Sequence, residues 1–88
     1  MVRRRVLVSG RVQGVFFRDS CRQEAQRHAV TGLADNLPDG RVEVILEGEP
    51  TAVDAMIEWC RNGPRHADVD DVEVLEEASE GLRGFRTG

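Results

Sequence analysis

The sequence contains no lysine and no tyrosine, and it has only two cysteines, two histidines and one tryptophan among its 88 residues. The absence of lysine excludes a Schiff-base lysine and the phosphate-binding lysine of a P-loop. Cys21 and Cys60 are too few for a disulfide scaffold or a zinc site, so we expect both to be reduced, buried thiols. His28 and His66 lack partners at metal-ligand spacing and should lie at a helix end or in a loop. The sequence therefore predicts no metal site and no cofactor.

Long hydrophobic runs are also missing. No stretch approaches the roughly 20 apolar residues of a membrane helix, and the arginine-rich start does not lead into a signal-like segment. We therefore expect a cytoplasmic protein without a membrane partner. A content of 40% hydrophobic and 32% charged residues is ordinary for a globular chain. A chain this short has room for one core, so residues 1–88 are predicted to form a single domain, which we expect to be a monomer.

Positive charge is in the minority. The formal net charge is −4, and the 12 basic residues are all arginine. A protein that neutralises many phosphates usually presents a basic surface, so the sequence disfavours a nucleic-acid partner.

Hydrophobic periodicity predicts both helices and strands. In the first helix, Phe17, Cys21, Ala25 and Ala29 recur every four residues and form an apolar stripe. Alternation of apolar and polar residues predicts the strands, and glycine or proline separates most of the elements. The predicted elements are a strand over residues 3–9, a helix from Phe17 to before Gly32, a β-hairpin turning at Pro38-Asp39-Gly40, a helix from Pro50 to Gly63-Pro64, a strand at Val72 and Val74, and a short strand at Phe85.

The resulting order is β-α-β-β-α-β, which is the split βαβ arrangement of ferredoxin-like α+β folds. We expect two helices on one face of a four- to five-stranded, mainly antiparallel sheet. This fold supports many unrelated activities, so function has to be inferred from a site.

The loop between the first strand and the first helix is the strongest candidate for a site. It reads GRVQGVFFR over residues 10–18, and its two glycines allow the backbone to curl so that successive N–H groups converge. A helix N-terminus favours negative charge, and the guanidinium of Arg18 can donate two parallel hydrogen bonds to phosphate oxygens. We interpret this loop as an anion site in which Val12, Val15 and Phe17 pack inward as supports.

A simpler interpretation is a tight turn in which Arg18 pairs with Asp19 or another acid. The loop has neither the GxGxxG spacing of dinucleotide sites nor the GxxxxGK[ST] spacing of P-loops. The pattern alone leaves both interpretations open.

The same stretch resembles the signature of the acylphosphatase family, which commonly reads Gly-x-Val-Gln-Gly-Val-x-Phe-Arg. Asn36, in GLADNLPDGRVEV, is similar to the end of the family's second motif, and GPRHADVDDVEV resembles the segment before its fourth strand. The resemblance covers nearly the whole chain and implies the ferredoxin-like fold. The residues that match the signature are Gly10, Val12, Gln13, Gly14, Val15, Phe17 and Arg18.

The resemblance implies an enzyme that hydrolyses the carboxyl-phosphate bond of acyl phosphates and releases a carboxylate and inorganic phosphate. An acyl phosphate is already activated, so catalysis requires positioning and charge stabilisation rather than a protein nucleophile, metal or cofactor. Arg18 and Asn36 are the implied catalytic residues, with Asn36 orienting the attacking water. Inorganic phosphate is the expected product and inhibitor. The implied phosphate-binding residues are Gln13, Gly14, Val15, Phe16, Phe17 and Arg18.

Two positions and the last strand depart from the family pattern. Leu33 stands where the second motif often has tryptophan, and Asp35 stands where a basic residue is common. The last strand, within GFRTG, lacks the usual aromatic end. Asp35 should point to the opposite face of a regular strand from Asn36. The departures therefore leave Arg18 and Asn36 intact and concern substrate preference and the packing of the fifth strand.

The sequence leaves two alternatives open. One is a related module with specialised or lost activity, such as the domains within carbamoyl-transfer proteins. The other is a ferredoxin-like RNA-binding module, which would require aromatic side chains on the exposed sheet face. The chain has three phenylalanines, two of them in the loop, and a negative charge, which makes RNA binding the weaker alternative.

Overall fold

The computed structural model describes all residues from Met1 to Gly88. It confirms the predicted order of elements and contains two helices and one five-stranded sheet. The strands lie in the order β4-β1-β3-β2-β5. All neighbouring strands are antiparallel except β2 and β5, which are parallel. The elements are β1 (Val2–Arg11), α1 (Phe17–Arg27), β2 (Thr31–Asn36), β3 (Val42–Gly48), α2 (Pro50–Asn62), β4 (Asp68–Glu77) and β5 (Phe85–Thr87).

Both helices cover the same face of the sheet. Alternate residues of β1 and β3 point toward the helices and are completely buried. The predicted stripe of α2 is buried against β1, β3 and β4. The stripe of α1 up to Ala25 is buried over β2 and β5, and both stripes belong to one core. The rings of Phe17 and Trp59 meet edge to face with centroids 5.2 Å apart, which fixes the start of α1 against α2.

The first helix ends earlier than predicted, at Arg27. Ala29 is exposed and adopts a left-handed backbone conformation with φ 55°. The N–H of Val30 donates to the carbonyl of Ala25 and that of Ala29 to the carbonyl of Gln26, so the helix closes with a Schellman motif. The prediction that Ala29 continues the apolar stripe was therefore wrong, and Val30 is the buried residue instead.

A segment without regular structure, residues 78–84, connects β4 to β5. These are the two edge strands, so the connection has to pass across the whole sheet. Glu47 of β3, which is 1% exposed, accepts hydrogen bonds from the backbone N–H groups of Glu80, Gly81 and Leu82. This central carboxylate fixes the crossing and thereby helps to place β5 beside β2.

The cysteines and histidines lie where the sequence predicted. Cys21 and Cys60 are buried free thiols, as expected. His28 caps the C-terminus of α1, and His66 lies in the turn after α2. Neither helix has the length and hydrophobicity that crossing a membrane would require.

Candidate active site

The loop between β1 and α1 is supported from inside by apolar side chains. Val12, Val15 and Phe17 are 1%, 8% and 2% exposed, and all three belong to the main core cluster. This confirms the predicted inward packing. Because these side chains are buried, they hold the loop backbone in place while its polar groups face outward.

Gly10 has a different role from the one predicted. It lies in an irregularity of β1, where the register with β4 shifts, and has φ 120°. A β-carbon at this position would lie 2.2 Å from the carbonyl oxygen of Asp68. Gly10 is therefore required for close packing of two strands, and the curled part of the loop begins after it.

Gln13 connects the loop to the hairpin between β2 and β3. Its Nε2 donates to the carbonyl oxygens of Leu37 and Arg41, each at 2.9 Å. Because Leu37 directly follows Asn36, this side chain fixes the distance between the loop and the end of β2.

The N-terminus of α1 offers unpaired backbone donors. Phe16 occupies the N-cap position with φ 62° and ψ 28°, and no side chain caps the helix. The first N–H to bond to the preceding turn is that of Ser20, which donates to Phe16 at 3.0 Å. The N–H groups of the first turn are therefore available to a ligand, and the helix dipole favours an anion there.

These groups surround a cavity of about 250 Å³. It brings together the two predicted catalytic residues, Arg18 from the first turn of α1 and Asn36 from the end of β2. Of the other predicted phosphate-binding residues, Gly14, Phe16 and Phe17 line it, whereas Gln13 and Val15 do not. The complete lining is Val12, Gly14, Phe16, Phe17, Arg18, Asp19, Asn36 and Thr87.

Arg18 is not paired with a neighbouring acid. Asp19 instead accepts from Arg22 at 2.6 Å and from Gln23 at 3.3 Å. The guanidinium of Arg18 donates through Nη1 to the main-chain oxygen of Gly88, the last residue of the sequence. A guanidinium has five N–H donors, so several remain for an anion in the cavity. These contacts favour the anion-site interpretation over a turn stabilised by an Arg18–Asp19 pair.

Asp35 and Asn36 face opposite sides of β2, as expected from strand alternation. Asn36 lines the cavity described above, whereas Asp35 lines a second one of about 230 Å³ together with Leu33 and Arg86. The departures from the family pattern at Leu33 and Asp35 are therefore on the other side of the sheet from Arg18. Thr87 borders both cavities.

Sequence reasoning did not identify Asp19 or Thr87 as lining residues. Asp19 follows Arg18 directly, and its exposed place in the first turn of a helix was a usable signal. Thr87 had no such signal, because it reaches the cavity only through the parallel pairing of β5 with β2.

Comparison with known proteins identifies close relatives over most of the chain. Residues 4–87 match the family model described as Acylphosphatase. The chain is 63% identical over 82 residues to an acylphosphatase of Rubrobacter xylanophilus, covering 92% of this chain and 74% of that protein. It is 52% identical over 84 residues to an acylphosphatase of Gloeobacter violaceus, covering 96% and 90% of the two chains.

The fold is also found in a solved structure. The crystal structure of acylphosphatase from Bacillus subtilis superposes with a TM-score of 0.96 at 38% sequence identity. The match covers 100% of this chain and 99% of that chain.

Proposed function

Because the chain belongs to the acylphosphatase family, we propose that its cavity hydrolyses acyl phosphates to a carboxylate and inorganic phosphate. The observation that carries the proposal is the shared position of three groups: Arg18, Asn36 and the uncapped N-terminus of α1. Together they provide a cation, an amide and unpaired backbone donors around one cavity.

Arg18 and the backbone of the loop bind the phosphoryl group in this proposal. A guanidinium can donate two parallel hydrogen bonds to phosphate oxygens. The N–H groups at the start of α1 add neutral donors, which stabilise the charge of the phosphoryl oxygens without needing to reorganise. Gln13 and Val15 contribute to the rigidity of the loop, since Gln13 anchors it to the hairpin and Val15 is buried in the core.

Asn36 orients the attacking water. Its amide has an acceptor oxygen and a donor nitrogen, so it can hold a water in one direction relative to the phosphorus. The water oxygen forms the new bond to phosphorus, the bond to the acyl oxygen breaks, and the carboxylate leaves. The water proton passes to a phosphate oxygen. This scheme needs no protein nucleophile because the leaving group is a stable carboxylate.

We also propose a cellular location and an oligomeric state for the enzyme. Two buried free thiols are typical of a reducing compartment, which supports a cytoplasmic location. The substrate is a small acyl phosphate, inorganic phosphate is both product and inhibitor, and we propose that the enzyme acts as a monomer without a metal or cofactor.

The direct test measures release of inorganic phosphate from benzoyl phosphate, with a phosphate monoester such as p-nitrophenyl phosphate as control. We expect rapid release from the acyl phosphate, little from the monoester and no effect of excess chelator, because no group of three His, Cys, Asp or Glu side chains is placed to hold a metal. Inactivation by chelator and recovery with a divalent ion would contradict the metal-free scheme. A folded chain inactive on acyl phosphates would instead be a module with lost or specialised activity.

Replacement of Asn36 with alanine tests the assignment of the water. We expect kcat to fall about 100-fold, the scale for removal of one preorganised polar group, while the inhibition constant of inorganic phosphate changes little. Asp35→Ala is the matched control, since this neighbour lies on the opposite face of the strand and should leave kcat near wild type. Unchanged kcat in folded Asn36→Ala would remove this residue from the mechanism.

A further inference from the structure

Phe16 is the most exposed of the large hydrophobic residues. Its side chain is 79% exposed, compared with 73% for Met1 and 40% for Leu75. The adjacent Phe17 is 2% exposed and packs in the core. Of the three exposed residues, Phe16 alone lines the cavity that contains Arg18 and Asn36. An aromatic side chain is therefore presented to solvent at the mouth of the proposed active site.

Phe16 is strained in its backbone as well as exposed. With φ 62° and ψ 28°, it lies in the left-handed region, where a β-carbon is disfavoured. Glycine would adopt this conformation without strain, as Gly14 does two residues earlier with φ 75°. A phenylalanine at position 16 therefore strains the backbone, and its side chain is not buried in the core in return. Ala29, the other non-glycine residue with positive φ, closes a helix, but Phe16 closes none, and strained residues of this kind are concentrated at active sites and ligand-binding segments.

The position of Phe16 indicates which part of a ligand it would meet. As the N-cap residue of α1, it directly precedes the N–H groups that we assign to the phosphoryl oxygens. The other apolar lining residues, Val12 and Phe17, are 1% and 2% exposed and offer almost no accessible surface. Phe16 is therefore the main apolar surface available to the group attached to the phosphoryl oxygen.

Charge near Phe16 also restricts the ligand. Asp19 lines the same cavity and is exposed, although its carboxylate is paired with Arg22. Arg18 is already assigned to the phosphoryl group. An acyl group with a second negative charge would approach Asp19 without a free cation beside it, whereas a neutral flat group would meet the ring of Phe16.

We propose that the side chain of Phe16 is the platform for the acyl group, and that it selects acyl phosphates with aromatic acyl groups over small aliphatic ones. This inference rests on the proposed function and adds its substrate class. The ring contributes dispersion and stacking interactions, which require only that the acyl group is planar and apolar.

The test compares kcat/KM for benzoyl phosphate and for acetyl phosphate in wild type and in variants of Phe16. The readout is the ratio of the two values, which cancels effects common to both substrates. We expect this ratio to fall roughly two- to tenfold in Phe16→Gly, the range of aromatic pair interactions. Phe16→Leu should give an intermediate ratio, and Phe16→Trp should retain or raise it.

Leu75→Ala is the matched control, because Leu75 is an exposed hydrophobic residue of β4 outside the cavity. It should leave the ratio at the wild-type value. Melting temperatures separate specificity from folding: glycine relieves the left-handed strain, so Phe16→Gly should melt no lower than wild type.

Two results would overturn the inference in distinguishable ways. If wild type hydrolyses both substrates but the ratio is the same in all Phe16 variants, the platform is wrong while the proposed function stands. If folded wild type hydrolyses neither substrate, the proposed function and the inference both fail.

Discussion

Arg18→Ala should lower kcat/KM for acyl phosphates about 10²–10³-fold and should also abolish stabilisation of the fold by inorganic phosphate. Both effects follow from the proposed role of Arg18, in which the guanidinium contacts the phosphoryl group in the substrate, the transition state and the product. Its side chain is the only cationic one that lines the cavity, and no Asp or Glu side chain pairs with it. Asn36, by contrast, is assigned to the water and should affect kcat without affecting phosphate binding.

The phosphate effect on wild type is large enough to measure. A ligand present at 100 times its dissociation constant adds about 2.7 kcal/mol to the free energy of unfolding. In a domain of this size that corresponds to a rise in melting temperature of roughly 10 °C or more. Arg18→Ala should show no such rise, and Arg18→Lys should recover little, because an ammonium group lacks the planar fork of a guanidinium.

Arg27→Ala provides the control for Arg18. Arg27 lies in the last turn of the same helix, is paired with Glu24 at 2.7 Å and is far from the N-terminal turn that borders the cavity. It should keep both activity and protection by phosphate. The assignment of Arg18 fails if its folded alanine variant is protected by phosphate as well as wild type is.

Most of the fold followed from local periodicity. The stripe of Val53, Met56, Ile57 and Cys60 predicted α2 to within one residue, because Pro50 and Gly63 mark its two ends chemically. The end of α1 has no such mark. Ala29 adopts a conformation usually taken by glycine, so no residue type in the sequence marks the Schellman motif that ends the helix at Arg27.

The candidate site was predictable only where one short segment contains it. The loop over residues 10–18 has its glycines, apolar supports and Arg18 in a single run, and its family resemblance added Asn36. The bonds of Gln13 to Leu37 and Arg41, and the placement of Thr87, depend on segments that meet only in the folded chain. No periodicity within either segment indicates such contacts.

Glu47 was missed for the same reason and is the residue on which we expect the fold to depend most. In the sequence, Glu47 is one of the polar residues that alternate with Val42, Val44 and Leu46, and nothing in this pattern marks it as buried. The structure instead buries its carboxylate beneath residues 80–82 and pairs it with Arg3 at 2.8 Å. Burial raises the pKa of Glu47, but the backbone N–H of Glu80, the guanidinium of Arg3 and two further N–H groups outweigh it and lower the pKa to about 2.

Glu47→Gln should therefore reduce the free energy of unfolding by about 3–5 kcal/mol, the scale for breaking a buried ion pair. The amide keeps the shape of the side chain but directs an NH₂ group toward donors that need an acceptor. Glu43→Gln is the matched control on the same face of β3. The Glu43 side chain is 21% exposed and pairs with the 38%-exposed side chain of Arg5. Glu43→Gln should therefore reduce the free energy of unfolding by less than about 1 kcal/mol.

The pH dependence provides an independent test of the Glu47 carboxylate. Because its pKa is lowered from an ordinary value of 4.5 to about 2, the stabilisation is fully present above pH 4.5 and is lost as the pH falls toward 2. Glutamine cannot lose a charge, so the gap in urea midpoint between wild type and Glu47→Gln should be widest at neutral pH and should narrow over this acid range. A gap that stays constant down to pH 2, or equal losses in Glu47→Gln and Glu43→Gln, would show that the charge of Glu47 does not hold the crossing segment in place.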